Sequence, residues 1–221
     1  MNLTHQDFLA FLGGARDTLI YCAVSFPLAL FLGLILALMS GSHLLWLKTP
    51  ARIFIEVMRS TPMLTQLFLL YYGVGAVLVS FNLAQYDNAW VAGITSLALN
   101  YAAYEAEIFR AGMLSVDYGQ IEAALSLGFT KRQSFLRIVL PQAIPLMIPP
   151  FVNDFIYMLK DSSVVSIISG TELTAVLSTW VSHHGSNPFA GYALAIVLYL
   201  LLSLPTSYLA RLLEQRLRAN L

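Results

Sequence analysis

EAALSLGFTKRQSFLRIVLP, residues 122–141, decides how the rest of the chain is read. The stretch carries Glu122, Lys131, Arg132, Arg137 and a glycine, Gly128, yet long apolar runs lie on both sides of it. It is too polar to cross a bilayer, where each charge is expensive. Its local chemistry is that of two short helices around a hard corner. Residues 121–127 (IEAALSL) are good helix formers. Gly128 stands where a left-handed cap is wanted, and Phe129 can pack back on the preceding turn. Thr130 opens a second helix with Gln133 three residues on, the spacing of a capping box. Ala123 and Ala124 leave a shallow surface that the groove of another protein could approach. Chemistry alone leaves two readings open, a docking helix for a partner and an amphipathic helix resting on the membrane surface.

The flanks are those of a membrane protein. Of 221 residues, 58% are hydrophobic and 11% charged, against about 25% charged in soluble domains. The formal net charge is zero, so nothing in the total points to nucleic acid or another charged partner. The lone Cys22 lies in an apolar run and excludes a disulfide framework. A bilayer-crossing helix needs about 20 apolar residues. Residues 18–39, 61–81 and 189–210 are uncharged, 88–104 is shorter but also uncharged, and 138–159 is interrupted only by Asp154. The expectation is an all-α integral membrane protein of one domain, 1–221, with five transmembrane helices and the polar stretch between the third and fourth. The start, MNLTHQDFLAFLGGARD, has no basic segment followed by an apolar core, so no cleaved signal peptide is expected.

Basic residues give the orientation. Lys48, Arg52, Arg59, Arg110, Lys131, Arg132, Arg137, Arg211, Arg216 and Arg218 fall on one side of the five spans, and only Arg16 and Lys160 on the other. The N-terminus is expected outside, the C-terminus inside, and the polar corner in the cytoplasm.

Glu-Ala-Ala, three residues, Gly, nine residues, Ile-x-Leu-Pro resembles the cytoplasmic-loop signature of the membrane subunits of bacterial ABC importers. Glu122, Ala123, Ala124, Gly128, Ile138, Leu140 and Pro141 match it without a gap. FIEVMRSTPMLTQLFLLYYG, AAYEAEIFRAGMLSVDYGQIEAA and LPQAIPLMIPPFVNDFIYMLKDSSVVS extend the likeness to the polar-amino-acid branch of those permeases, over most of residues 52–173. Ser60 stands where that family usually has Gly, and Val116-Asp117-Tyr118 replaces a more usual Ile-Pro-Lys-like run. The resemblance implies that segment 115–137 holds a coupling helix seated in a cytoplasmic ABC ATPase dimer. It also implies a second permease subunit, identical or similar, an extracytoplasmic solute-binding protein, and residence in the bacterial inner membrane. No G-x-x-x-x-G-K-[ST] phosphate loop is present. The chain is therefore expected to carry no cofactor and to be no enzyme, with ATP and Mg on the partner ATPase.

A permease must place polar groups inside its spans, where they face protein or water. Pro145, Pro149 and Pro150 each remove a backbone donor, and a broken helix at membrane depth is expected there, lining a cavity. Asn153 and Asp154 follow, with Asp154 about 20 Å up the helix from Pro141, just past the midplane. Its carboxylate can hold a substrate ammonium, with a weak tilt to a cationic amino acid; the alternatives are a fixed pair with Lys160 or an arginine, or a cap on a broken helix. The family typically has Glu here. Asn100 and Tyr104 share a helix face, four apart, and with Gln66 either line the same cavity or bond between helices. Glu56 with Arg59 and Glu107 with Arg110 are spaced for local ion pairs. Lys160 and Asp161 fit a gate or a structural pair, and His183-His184 a solvated outer loop. The competing function is an ion-coupled secondary carrier titrating Asp154, which five spans without an internal repeat disfavour.

Overall fold

The computed structural model describes residues 3–83, 88–183 and 188–218, and among these every regular element is helical. Helix α1 runs His5–Ser40, α2 Leu45–Ser60, α3 Met63–Phe68, α4 Gly75–Ser80 and α5 Ala89–Leu114. Then come α6 (Tyr118–Ser126), α7 (Lys131–Ser134), α8 (Leu140–Asp161), α9 (Leu173–His183) and α10 (Phe189–Arg218). π-helical turns join α3 to α4 and α7 to α8, and a 3-10 segment, Ser162–Ile168, follows α8.

The centre of the fold is the α1–α5 pair, and small residues build it. Ser25, Ala29, Gly33 and Ala37 are among the buried residues of α1, and Gly93, Ser96, Ala102, Ala103 and Ala106 are buried on α5. Helices in lipid gain little from burying apolar surface against each other, so close backbone approach over small side chains holds them. At Gly33 that approach is extreme: a Cβ there would stand 2.7 Å from Glu105 Cβ and 3.0 Å from the Ala102 carbonyl. Tyr21 stacks on Trp90 at 4.2 Å near the other end of the pair.

This packing explains the hydropathy. Among the described residues, four segments are long and apolar enough to cross a membrane: His5–Ser40, Met63–Ser80, Lys131–Ile168 and Phe189–Arg216. Helix α5, with 26 residues, is about 39 Å long, ample for a bilayer. Its Ala, Gly, Ser, Asn and Tyr content keeps its hydropathy low, because a helix walled by protein needs few lipid-facing leucines.

The break in a long apolar helix lies elsewhere than expected. Helix α8 runs without interruption through Pro145, Pro149 and Pro150. A membrane helix tolerates missing donors when its neighbours hold it, and Ala143, Met147, Met158 and Leu159 are all buried. The interruption is at Thr61-Pro62, between α2 and α3, where both residues adopt extended backbone. Gln66 stitches it: its Nε2 donates to the Met58 carbonyl at 2.9 Å and to the Thr61 carbonyl at 3.1 Å. Pro62 disfavours helix at the residue before it, and here a buried amide satisfies the carbonyls that the break frees.

The polar corner follows the sequence closely. Helix α6 ends at Ser126 with Leu127 as its cap residue, Gly128 takes φ +86°, and the Phe129 amide donates to the Ala124 carbonyl at 3.0 Å. With the Gly128 amide on Leu125, this is a complete Schellman cap. Thr130 and Gln133 form the capping box that opens α7. Ala124 is a correction: it is 3% exposed and packs inside the corner, leaving Glu122 and Ala123 outward. Leu127, 81% exposed, is the apolar knob instead.

Candidate functional site

Two clefts meet at Asp154. One, of about 340 Å³, is bounded by the α2–α3 break (Thr61, Pro62), by Asn100, Tyr101 and Tyr104 of α5, and by Asp154, Tyr157 and Asp161 of α8. The other, of about 720 Å³, holds Arg59, Tyr104, Glu107, Pro149, Pro150, Asn153, Asp154 and Glu214. Tyr104 and Asp154 wall both, so the two clefts adjoin along α5 and α8. Antiparallel packing of α5 and α8 creates this: Asp161 meets Tyr101 near one end, and Met147 packs over Gly112 near the other.

The charges sort themselves unequally. Arg110 Nε donates to Glu107 Oε2 at 3.1 Å, as its spacing predicts. Arg59 reaches the same carboxylate at 3.9 Å and lies 5.6 Å from the Tyr104 ring centre. Glu56 was expected to pair with Arg59 but lies exposed, and among the described residues it makes no ion pair. Arg59 instead turns across to α5, where an aromatic face and a second arginine's partner both attract it. Lys160 and Asp161 are neighbours with different partners: Lys160 Nζ sits 4.5 Å over the Tyr157 ring, and Asp161 accepts the Tyr101 hydroxyl at 2.8 Å. Asp154, half-buried on α8, has neither a hydrogen bond nor an ion pair among the described residues. Neither Lys160 nor any arginine neutralises it.

Asn100 and Gln66 are brought together as an interhelical bond, Asn100 Nδ2 donating to Gln66 Oε1 at 2.9 Å, with Asn100 still on the cleft wall. Gln66 lies behind that wall. Asn153 is exposed into the wider cleft. His183 is exposed and its ring contacts the Thr179 carbonyl; His184 lies outside the described residues.

The corner and the clefts are mechanically continuous. Val116, Val139, Ala143 and Met147 form a core with Ile108, Phe109, Ile121, Phe135 and Phe151, which ties α6 and the π-turn to the two helices that wall the site. Gln142 Nε2 also donates to Gln120 Oε1 at 2.6 Å. Sequence reading missed three features here. The Thr61-Pro62 break was passed over as a span start, and Leu127 as part of a helix face. Glu105 was missed because span three was ended at Tyr104, although an acid so deep in an Ala-rich helix was signal enough.

Residues 29–219 match the binding-protein-dependent transport system inner membrane component family, and the chain belongs to it. It is 39% identical over 212 residues to an octopine transport system permease protein of Rhizobium radiobacter, covering 95% of this chain and 86% of that one. It is 32% identical to a probable glutamine ABC transporter permease protein of Bacillus subtilis, covering 100% and 99%. Among solved structures it resembles an amino acid ABC transporter crystallised with histidines, at TM-score 0.86 and 36% identity, over 98% of this chain and 100% of that one. An inward-facing methionine ABC transporter shares the fold at TM-score 0.80 and 17% identity, over 97% and 99%. The protein is thus an amino acid ABC transporter permease subunit, an all-helical membrane component of a class that is not itself enzymatic and works with ATPase and binding-protein partners.

Proposed function

We propose that this subunit is a single five-span domain, 1–221, that imports a polar amino acid along the path at Asp154. The observation that carries the reading is the unpaired Asp154 carboxylate between two adjoining clefts. An unpaired acid at membrane depth is expensive unless a partner arrives, and every amino acid brings an α-ammonium. Asn153 and Tyr104 line the path beside it, and Asn100, held by Gln66, fixes the wall at the α2–α3 break. Arg59, Glu107 and Arg110 gate the wider cleft, with Lys160 and Asp161 bracing the other end and Glu56 outside the gate.

In this reading α5 is the third span and the corner over residues 115–137 is the coupling helix. Glu122, Ala123, Gly128 and the added Leu127 meet a cytoplasmic ABC ATPase dimer, which holds ATP and Mg; Ala124 supports them from within. A second permease copy, identical or similar, completes the path, and an extracytoplasmic solute-binding protein delivers the solute. The bacterial inner membrane is the setting, with the N-terminus outside and the C-terminus in the cytoplasm. ATP binding draws the two corners together, and the core between α6, α5 and α8 carries that movement to the site. A cationic amino acid fits best, because an uncompensated carboxylate favours a positive side chain. An ion-coupled carrier would leave the capped corner without a role.

Topology tests this directly, because only α5 separates Ser80 from Lys131. With Cys22 first replaced by Ala, a cysteine at Ser80 should react with an external impermeant thiol reagent, and one at Lys131 should not. Equal labelling of both positions would mean that α5 does not cross, and the five-span reading would fall.

A further inference from the structure

Among the described residues, Glu105 is the one fully buried acid on the helices that wall the path. It lies beside Tyr104 and one turn from Tyr101, at 0% exposure. Both carboxylate oxygens are shut off from solvent, and neither has a hydrogen-bond partner. Buried polar groups are paired almost without exception, and intramembrane acids mark solute or ion paths. A permanent partner is therefore missing from the protein itself.

The surroundings say what kind of partner is absent. Asp154, across on α8, lies within electrostatic reach of Glu105. Arg59 and Arg110 reach Glu107 and Lys160 lies over the Tyr157 ring, and among the described residues no cation pairs with Glu105 or Asp154. Two neighbouring carboxylates thus stand without a protein cation. Glu105 is closed in by α1, whose Gly33 backbone passes so near that a Cβ would stand 2.7 Å from Glu105 Cβ. Reaching the cleft therefore requires α1 to shift against α5 at this contact. The freed side chain can then swing toward Asp154 and the cleft.

We propose that Glu105 is a second cation station beside Asp154, so that the solute carries two positive groups, an α-ammonium and a guanidinium or second ammonium on its side chain. This rests on Asp154 as the ammonium contact and goes further, in giving the side-chain charge its own carboxylate. A neutral amino acid would leave Glu105 stranded, so discrimination belongs to this residue.

The test is equilibrium dialysis on the permease–ATPase complex in lipid nanodiscs, with radiolabelled arginine and with citrulline, its uncharged analogue of equal length. Wild type should bind arginine about tenfold tighter or more, the scale of one hydrogen bond to a charged group. Glu105→Gln should bring the ratio near one by weakening arginine alone, whereas Glu105→Asp should retain the preference. Asp154→Asn should weaken both probes. A wild-type complex without arginine preference overturns the proposal, whatever the variants do. So does an assembled Glu105→Gln complex with an unchanged ratio or with equal loss of both probes. If Asp154→Asn binds both probes normally, the ammonium contact at Asp154 falls, and the proposal with it; if only the Glu105→Gln ratio fails to move, Asp154 stands and the second station is wrong.

Discussion

Gly128→Asp should abolish solute uptake and loosen the ATPase from the membrane complex while the permease still inserts. Gly128 adopts φ +86°, a conformation that L side chains enter at a cost of roughly 1–2 kcal/mol. A Cβ there meets nothing within 4 Å, so the protein's own packing does not resist the change. What the substitution adds is a carboxylate on the exposed corner, beside exposed Leu127 and in the same segment as exposed Glu122. Aspartate tolerates left-handed backbone better than most residues, so the new charge dominates over the strain. Gly128→Ala supplies the comparison: it carries the strain without the charge and should retain most of the bound ATPase. Co-purification of the ATPase with each variant, together with uptake by the complex, measures both effects. Normal ATPase retention and normal uptake in Gly128→Asp would remove the corner from the docking surface.

Asp154→Asn should raise the solute concentration needed for uptake by about 10- to 100-fold, matching the loss of a charge-assisted hydrogen bond of about 1.5–3 kcal/mol. Basal ATP hydrolysis and assembly should stay intact, because Asp154 has no hydrogen bond or ion pair among the described residues whose partner the change would strand. A structural Asp154 predicts the reverse pattern, with poor insertion or equal loss of basal and stimulated hydrolysis. The deciding comparison is hydrolysis by the reconstituted complex with and without loaded binding protein, for wild type and Asp154→Asn. Unchanged stimulation would take Asp154 off the path.

The corner was legible in the sequence because its signals are local. Gly128, Thr130 and Gln133 act within a few residues of themselves, and each takes the predicted cap geometry. Asp154 was legible for a different reason, as the only charge in an otherwise apolar stretch. What failed was whatever depended on a distant helix. Arg59 leaves Glu56, one turn back, for Glu107 on α5, and Ala124 is buried in the folded corner. The three prolines of α8 read as breaks because proline weakens an isolated helix, yet packing against α5 keeps α8 continuous. Conversely, Thr61-Pro62 reads as an ordinary start, and only the buried Gln66 amide identifies it as a stitched interruption. Helix α5 sits between these cases. Its length is plain, but its low hydropathy reflects burial against α1, which no window of sequence displays.

In the proposed mechanism, ATP hydrolysed on a partner acts through the corner and drives the solute past Asp154. Uptake by the complete transporter in sealed proteoliposomes, with ATP supplied on the side of the corner, tests it most directly. Uptake should require that ATP and should persist when a protonophore collapses the proton gradient. Uptake that runs on an imposed proton gradient without ATP would contradict the account and make Asp154 the proton site of a secondary carrier.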